Sequence, residues 1–132
     1  MKKYIHCTIS IILSVILMSC ILEAFNPLRR SEESIREYVL RAIPIGTDID
    51  AAAQIIEAKG WTIDYISREH GCKVDSHGDI DNSGDEDIGS QSIRAHLGTY
   101  YVGFRRDISA FLAFGEEGKL LDVGIRRDID SL

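Results

Sequence analysis

Residues 105–128 read RRDISAFLAFGEEGKLLDVGIRRD, two apolar runs flanking the string FGEEGK at 114–119, and their pairing decides the fold. A turn centred between Glu116 and Glu117 sets Leu112 against Leu121, Ala110 against Val123 and Ile108 against Ile125. One register thus gathers the apolar partners on a single face of an antiparallel hairpin. On the other face the same register sets Arg105 opposite Asp128 and Asp107 opposite Arg126, so the string RRDI, present at 105 and again at 126, is explained by cross-strand charge pairing. Arg106 then faces Arg127, a like-charged pair that only solvent or an anion would tolerate.

Upstream, Ile93, Ala95 and Leu97 alternate with polar residues, as do Trp61, Ile63 and Tyr65, and each set predicts a strand. Gly98 to Phe104 is either a turn or the start of the next strand. Before the strands the period is helical. Ser31 followed by Glu32 and Glu33 supplies a hydroxyl cap and acids at the positive end of a helix dipole. Ile35, Tyr38, Val39 and Ala42 then recur on one face, and Pro44 closes the run. Thr47 with Asp50 three residues on predicts the cap of a second helix, whose inner face is Ile49, Ala52, Ala53 and Ile56 and whose end is Gly60. The expected fold class is α+β, with two N-terminal helices packed on an antiparallel sheet of three to four strands.

Between residues 68 and 91 the periodicity vanishes. Six acids fall between Asp75 and Asp87 among glycines, which predicts a long mobile acidic loop.

The first twenty residues, MKKYIHCTISIILSVILMSC, have the parts of a secretory leader: Lys2 and Lys3, an apolar stretch from Thr8 to Met18, and the small residue Ser19 before a possible cut. That stretch is short for a bilayer span, which takes about 20 residues. Leu17, Met18, Ser19 and Cys20 resemble the lipobox of bacterial lipoproteins. The resemblance implies cleavage before Cys20, acylation of Cys20, and, with Ile21 following, the outer membrane of a two-membrane cell. Cleavage after Ala24 and an uncleaved anchor from Ile5 to Leu22 are the alternatives. The division is thus a signal peptide at 1–19, a tether at 20–30 and a single domain at 31–132. The domain would be membrane-anchored and face the periplasm or exterior.

Loss of residues 1–19 removes two lysines and no acid, leaving 13 basic against 21 acidic residues, a net charge of −8. Such a surface repels nucleic acid and anionic headgroups, and it allows a basic protein partner.

Candidate chemistry is sparse. His70, Cys72, Asp75 and His77 are metal-ligand types, but their spacing matches no common site and a solvated loop is the simpler reading. Asp79, Asp81, Ser83, Gly84 and Asp85 open like a calcium loop, yet Ser90 stands where a bidentate glutamate belongs. Cys72 reads as a buried inert thiol. No nucleophile, phosphate-loop or paired-carboxylate motif occurs, so no enzyme, metal or cofactor is expected. Tyr100, Tyr101, Phe104, Arg105, Arg106 and Arg127 combine the residue types that dominate protein interfaces, and they are the expected partner-binding residues.

The lipobox leader, the helix pair joined by PIGT at 44–47 and the terminal FGEEGKLLD at 114–122 together resemble small α-α-β lipoproteins. These are the SmpA/OmlA type of outer-membrane assembly lipoprotein and the related β-lactamase-inhibitor-like domains. Lys59, Gly60 and Trp61 replace that group's usual Leu-Gly-x-Pro. The resemblance implies a lipid-anchored protein-binding or scaffolding module of the cell envelope. The alternative is an inhibitor or immunity protein that blocks an enzyme with its acidic loop.

Overall fold

The computed structural model describes residues 1–81 and 83–130. Asn82, within the calcium-like run, and residues 131–132 of the assigned domain lie outside the described residues, as do the side chains of Lys2, Lys3, Glu23 and Ala24. In chain order the elements are α1 (Lys2–Ala24), a 3-10 turn (Pro27–Arg29), α2 (Glu32–Ala42), α3 (Ile49–Ala58), β1 (Thr62–Ser67), β2 (Cys72–Val74), β3 (Ile80–Asp81), β4 (Glu86–Ile88), β5 (Gln91–Val102), β6 (Phe104–Phe114) and β7 (Leu120–Asp130). The fold is α+β. Strands β1, β5, β6 and β7 form one antiparallel sheet in the order β1-β5-β6-β7, and β3-β2-β4 form a second, smaller one.

Helices α2 and α3 cover one face of the larger sheet because their apolar stripes match its inward residues. Ile35, Val39 and Ile43 from one side and Ile49, Ala52 and Ile56 from the other are buried with Ile93, Ala95, Ile108, Ala110, Leu112 and Phe114. Ser31 caps α2 as expected, its hydroxyl accepting from the Ser34 amide at 3.3 Å. Thr47 does not cap α3. Its hydroxyl donates to the Pro44 carbonyl at 2.6 Å, Asp48 takes the cap position, and the Asp48 carboxylate pairs with Lys119 at 2.8 Å instead.

The β6–β7 hairpin keeps the expected faces but not the expected partners. Ala110 pairs with Ile125 and Leu112 with Val123, two residues beyond the positions read from the sequence. Two local insertions account for the shift. Gly118, at φ +72°, closes a turn in which its amide donates to the Gly115 carbonyl at 2.9 Å, and this adds one residue to the loop. A bulge at Leu121 adds the second, since Phe114 pairs with Leu120 but Ala113 with Asp122. Two shifts of one residue restore the parity, so the apolar face survives. The charge pairs do not: Arg105 lies opposite Asp130, Asp107 opposite Asp128, Arg106 opposite Ile129 and Arg127 opposite Ile108. The anticipated clash between Arg106 and Arg127 is therefore absent.

The acidic segment is folded over the second face of the larger sheet, contrary to the mobile loop expected of it. Cys72 and Ile80 are buried against Phe111 and Ala113 with Val74 and Ile88 alongside, which gives the segment an apolar floor. Backbone contact is closest at Gly124, where a Cβ would stand 2.1 Å from the Ile80 carbonyl oxygen. Arg126 ties the two layers electrostatically, reaching Asp81 at 3.3 Å and Asp128 at 2.8 Å.

At the margin of the larger sheet, Arg36 of α2 donates through Nε to the Val123 carbonyl at 3.0 Å and through Nη2 to Asp122 at 2.5 Å. The end of the expected tether is also fastened to the domain. Leu28 is buried over Gly98, and the Arg30 carbonyl accepts from Arg127 Nη2 at 2.6 Å. Within α1, Tyr4–Leu22 is a 19-residue apolar span of mean hydropathy 2.4. At 1.5 Å per residue it measures about 28 Å, close to the thickness of a hydrocarbon core, and it contains the apolar stretch from Thr8 to Met18. A signal sequence at the N-terminus has the same character.

Gly124→Ala places a methyl group against the Ile80 backbone and is expected to lower stability by about 1–3 kcal/mol. Denaturant unfolding of the detergent-solubilised chain measures this, and an unchanged midpoint would show that the small sheet does not pack there.

Candidate functional site

Strands β5 and β6 continue past the helices and turn at Gly103, so Gly98 to Phe104 is mainly strand. A bulge at Leu97 lets Gly98 pair with Ile108, after which Thr99, Tyr100, Tyr101 and Val102 pair with Asp107, Arg106, Arg105 and Phe104. Alternation then splits the six expected partner-binding residues between two faces. Tyr100, Phe104, Arg106 and Arg127 share the helix-side face with Ile108, whereas Tyr101 and Arg105 share the outer face with Asp107.

On the helix side Tyr100 is 6% exposed. Its ring lies beneath two guanidinium groups, Arg29 at 5.7 Å and Arg127 at 6.0 Å, so it clamps the 3-10 turn to the sheet. It is therefore withdrawn from the contact surface expected of it. Val102, Phe104 and Ile129 remain exposed around Arg106 and Arg127. Among the described residues no carboxylate stands within ion-pair distance of Arg106 or Arg127, and the Nε atoms of both are buried without a hydrogen-bond partner.

The outer face carries an open groove of about 580 Å³, lined among others by Asp64, Arg94, His96, Arg105, Asp107 and Asp128. Exposed Tyr101 follows at its end, beside Arg105. Asp64 pairs with Arg94 at 3.3 Å and Asp107 with Arg105 at 3.0 Å. The Thr99 hydroxyl donates to Asp107, and His96 Nε2 lies 3.3 Å from the same hydroxyl. That hydrogen bond, reinforced by Arg105, holds the Asp107 carboxyl below the usual carboxylate range. In nucleophilic catalysis the hydroxyl donates to an imidazole that a carboxylate orients. Here the hydroxyl sits between imidazole and carboxylate and donates to the carboxylate, an arrangement suited to fixing charge on a surface. The sequence shows the polar alternation of Arg94 and His96, but the bulge that brings His96 and Thr99 together leaves no mark in composition.

The metal-ligand types do not converge. Cys72 is fully buried and His77 is exposed, and among the described residues no three His, Cys, Asp or Glu side chains stand together to hold a metal ion. In the calcium-like run, Asp81 accepts from the Ser83 amide at 2.6 Å and pairs with Arg126, so its carboxylate is already engaged.

Burial pushes the Cys72 thiol up to about 12 from an ordinary value near 9, so the neutral thiol is the folded-state form. A raised folded-state pKa contributes stability below pH 9 that is lost as pH climbs from 9 toward 12, because only the unfolded chain ionises there. Unfolding midpoints over that window should fall more steeply for the natural chain than for Cys72→Ala, and parallel curves would contradict the assignment.

Comparison with protein-family models, with curated proteins and with solved structures found no match to this chain.

Proposed function

We propose that this chain is a noncatalytic binding module held at a membrane of the cell envelope, with Cys20 as its lipidation site and the outer membrane as its address. Its occupant is a basic segment of a partner protein, bound in the outer-face groove. The observation that carries this reading is the groove itself. Four carboxylates, on Asp64, Asp107, Asp128 and Asp130, line it, the guanidinium groups of Arg94, Arg105 and Arg126 pair with the first three, and exposed Tyr101 lies next to Arg105. Fixed ion pairs with one acid in excess, beside an aromatic anchor, suit recognition of a basic protein segment better than turnover of a small molecule. The lipobox string Leu17-Met18-Ser19-Cys20 supports the address, and the apolar span Tyr4–Leu22 supports membrane association by either route.

Photo-crosslinking in intact cells from a probe at Tyr101 should capture one protein. Asp128→Lys should weaken that capture about tenfold, or ~1.4 kcal/mol, while Glu116→Lys at the far end of the sheet leaves it unchanged. Loss of capture on reversing Asp85 and Glu86, with Asp128→Lys silent, would favour the inhibitor reading instead. Mass measurement of the mature protein checks the address: an intact Met1 with an unmodified Cys20 thiol contradicts lipidation.

A further inference from the structure

We infer that the helix-side face of the β5–β6 overhang docks on the membrane that holds the N-terminal segment, seating Val102, Phe104 and Ile129 in the bilayer interface with Arg106 and Arg127 toward anionic headgroups. This rests on the membrane-held reading and goes beyond it, since it gives the domain a fixed orientation and a second point of attachment.

Three observations carry it. The first is continuity with the anchor. Leu28 is fastened over Gly98, so the apolar helix leaves the domain beside the overhang. From Leu28 back to Ala24 the chain spans at most about 14 Å. From Gly98 out to Val102 the strand runs about 13 Å. Hairpin tip and helix end thus both lie within about 14 Å of the Leu28–Gly98 contact, close enough for one membrane surface to meet them together.

The second is the chemistry of the face. Val102, Phe104 and Ile129 are 51%, 53% and 57% exposed, yet they surround arginines that lack a carboxylate partner among the described residues. Apolar side chains interleaved with guanidinium groups that no carboxylate neutralises match an interface with acyl chains on one side and phosphates on the other, although Arg127 also donates to the Arg30 carbonyl. The outer face behind them differs, because Arg105 and Arg126 there are paired with Asp107 and Asp128.

The third is charge polarity along the strands. At the opposite end of the sheet, about 30 Å away along β6, Asp48, Asp50, Glu116 and Glu117 border a single depression, with Asp48 held by Lys119 and Asp50 by Arg68. Glu116 and Glu117 at that end, and Arg106 and Arg127 without a carboxylate partner among the described residues at the other, orient the helix-side face of the overhang toward an anionic surface, because the acids of the overhang itself, Asp107, Asp128 and Asp130, lie on its outer face. The outer groove then faces away from the lipid and stays open to a partner.

The test uses the full chain reconstituted in vesicles of phosphatidylglycerol and phosphatidylethanolamine, with Trp61→Phe to remove the native indole. Phe104→Trp should emit at blue-shifted wavelengths and be quenched by brominated acyl chains at least threefold more than Glu116→Trp. Adding Arg106→Glu and Arg127→Glu should abolish that difference, with the chain still sedimenting with the vesicles and its circular dichroism unchanged. Equal quenching of the two tryptophans in retained chain would overturn the docking and leave the anchor intact. A blue shift seen in native membranes but not in pure lipid would also overturn it, assigning the face to a protein. Failure of the chain to sediment with vesicles would remove both the anchor and the docking.

Discussion

Every residue from Ile108 to Phe114 in β6 is buried, on both faces of the sheet, and the rest of the domain follows from covering them. Inward, Ile108, Ala110, Leu112 and Phe114 require the two helices. Outward, Phe111 and Ala113 require something else, and the only chain between β1 and β5 is the acidic segment. Burying a phenylalanine side chain contributes about 1.5–3 kcal/mol, a large share for strands of two or three residues whose own ladders are short. The small sheet is thus ordered by the ring it covers, with Cys72 and Ile80 as its contact points.

That dependence explains what the sequence disclosed. Both helices were legible because their apolar residues repeat at helical spacing, and the hairpin was legible because alternation survives any even shift of register. The actual partners were hidden by Gly118 and Leu121, each of which adds one residue to the connection without altering the pattern of faces. The small sheet was illegible for a different reason. Its apolar residues, Cys72, Val74, Ile80 and Ile88, are isolated in a run of acids, and nothing local shows that Phe111, distant in sequence, needs them. Composition described the solvent side of that segment and missed its underside.

The aromatic and arginine cluster was recognisable by residue type, but its division into two surfaces depends on pairing across the β5–β6 turn. Tyr100 and Tyr101 are neighbours in sequence and opposites in circumstance, one held beneath two arginines and the other in solvent. His96 and Thr99 became neighbours only through the bulge at Leu97. Sequence spacing could not supply either fact, because both concern which way a strand presents each residue.

Arg36 carries a consequence for self-association. A bare strand margin invites a neighbour's strand to add to it. By occupying the Val123 carbonyl, one guanidinium interrupts the row of acceptors along β7, which disfavours strand addition by a neighbouring copy at that point.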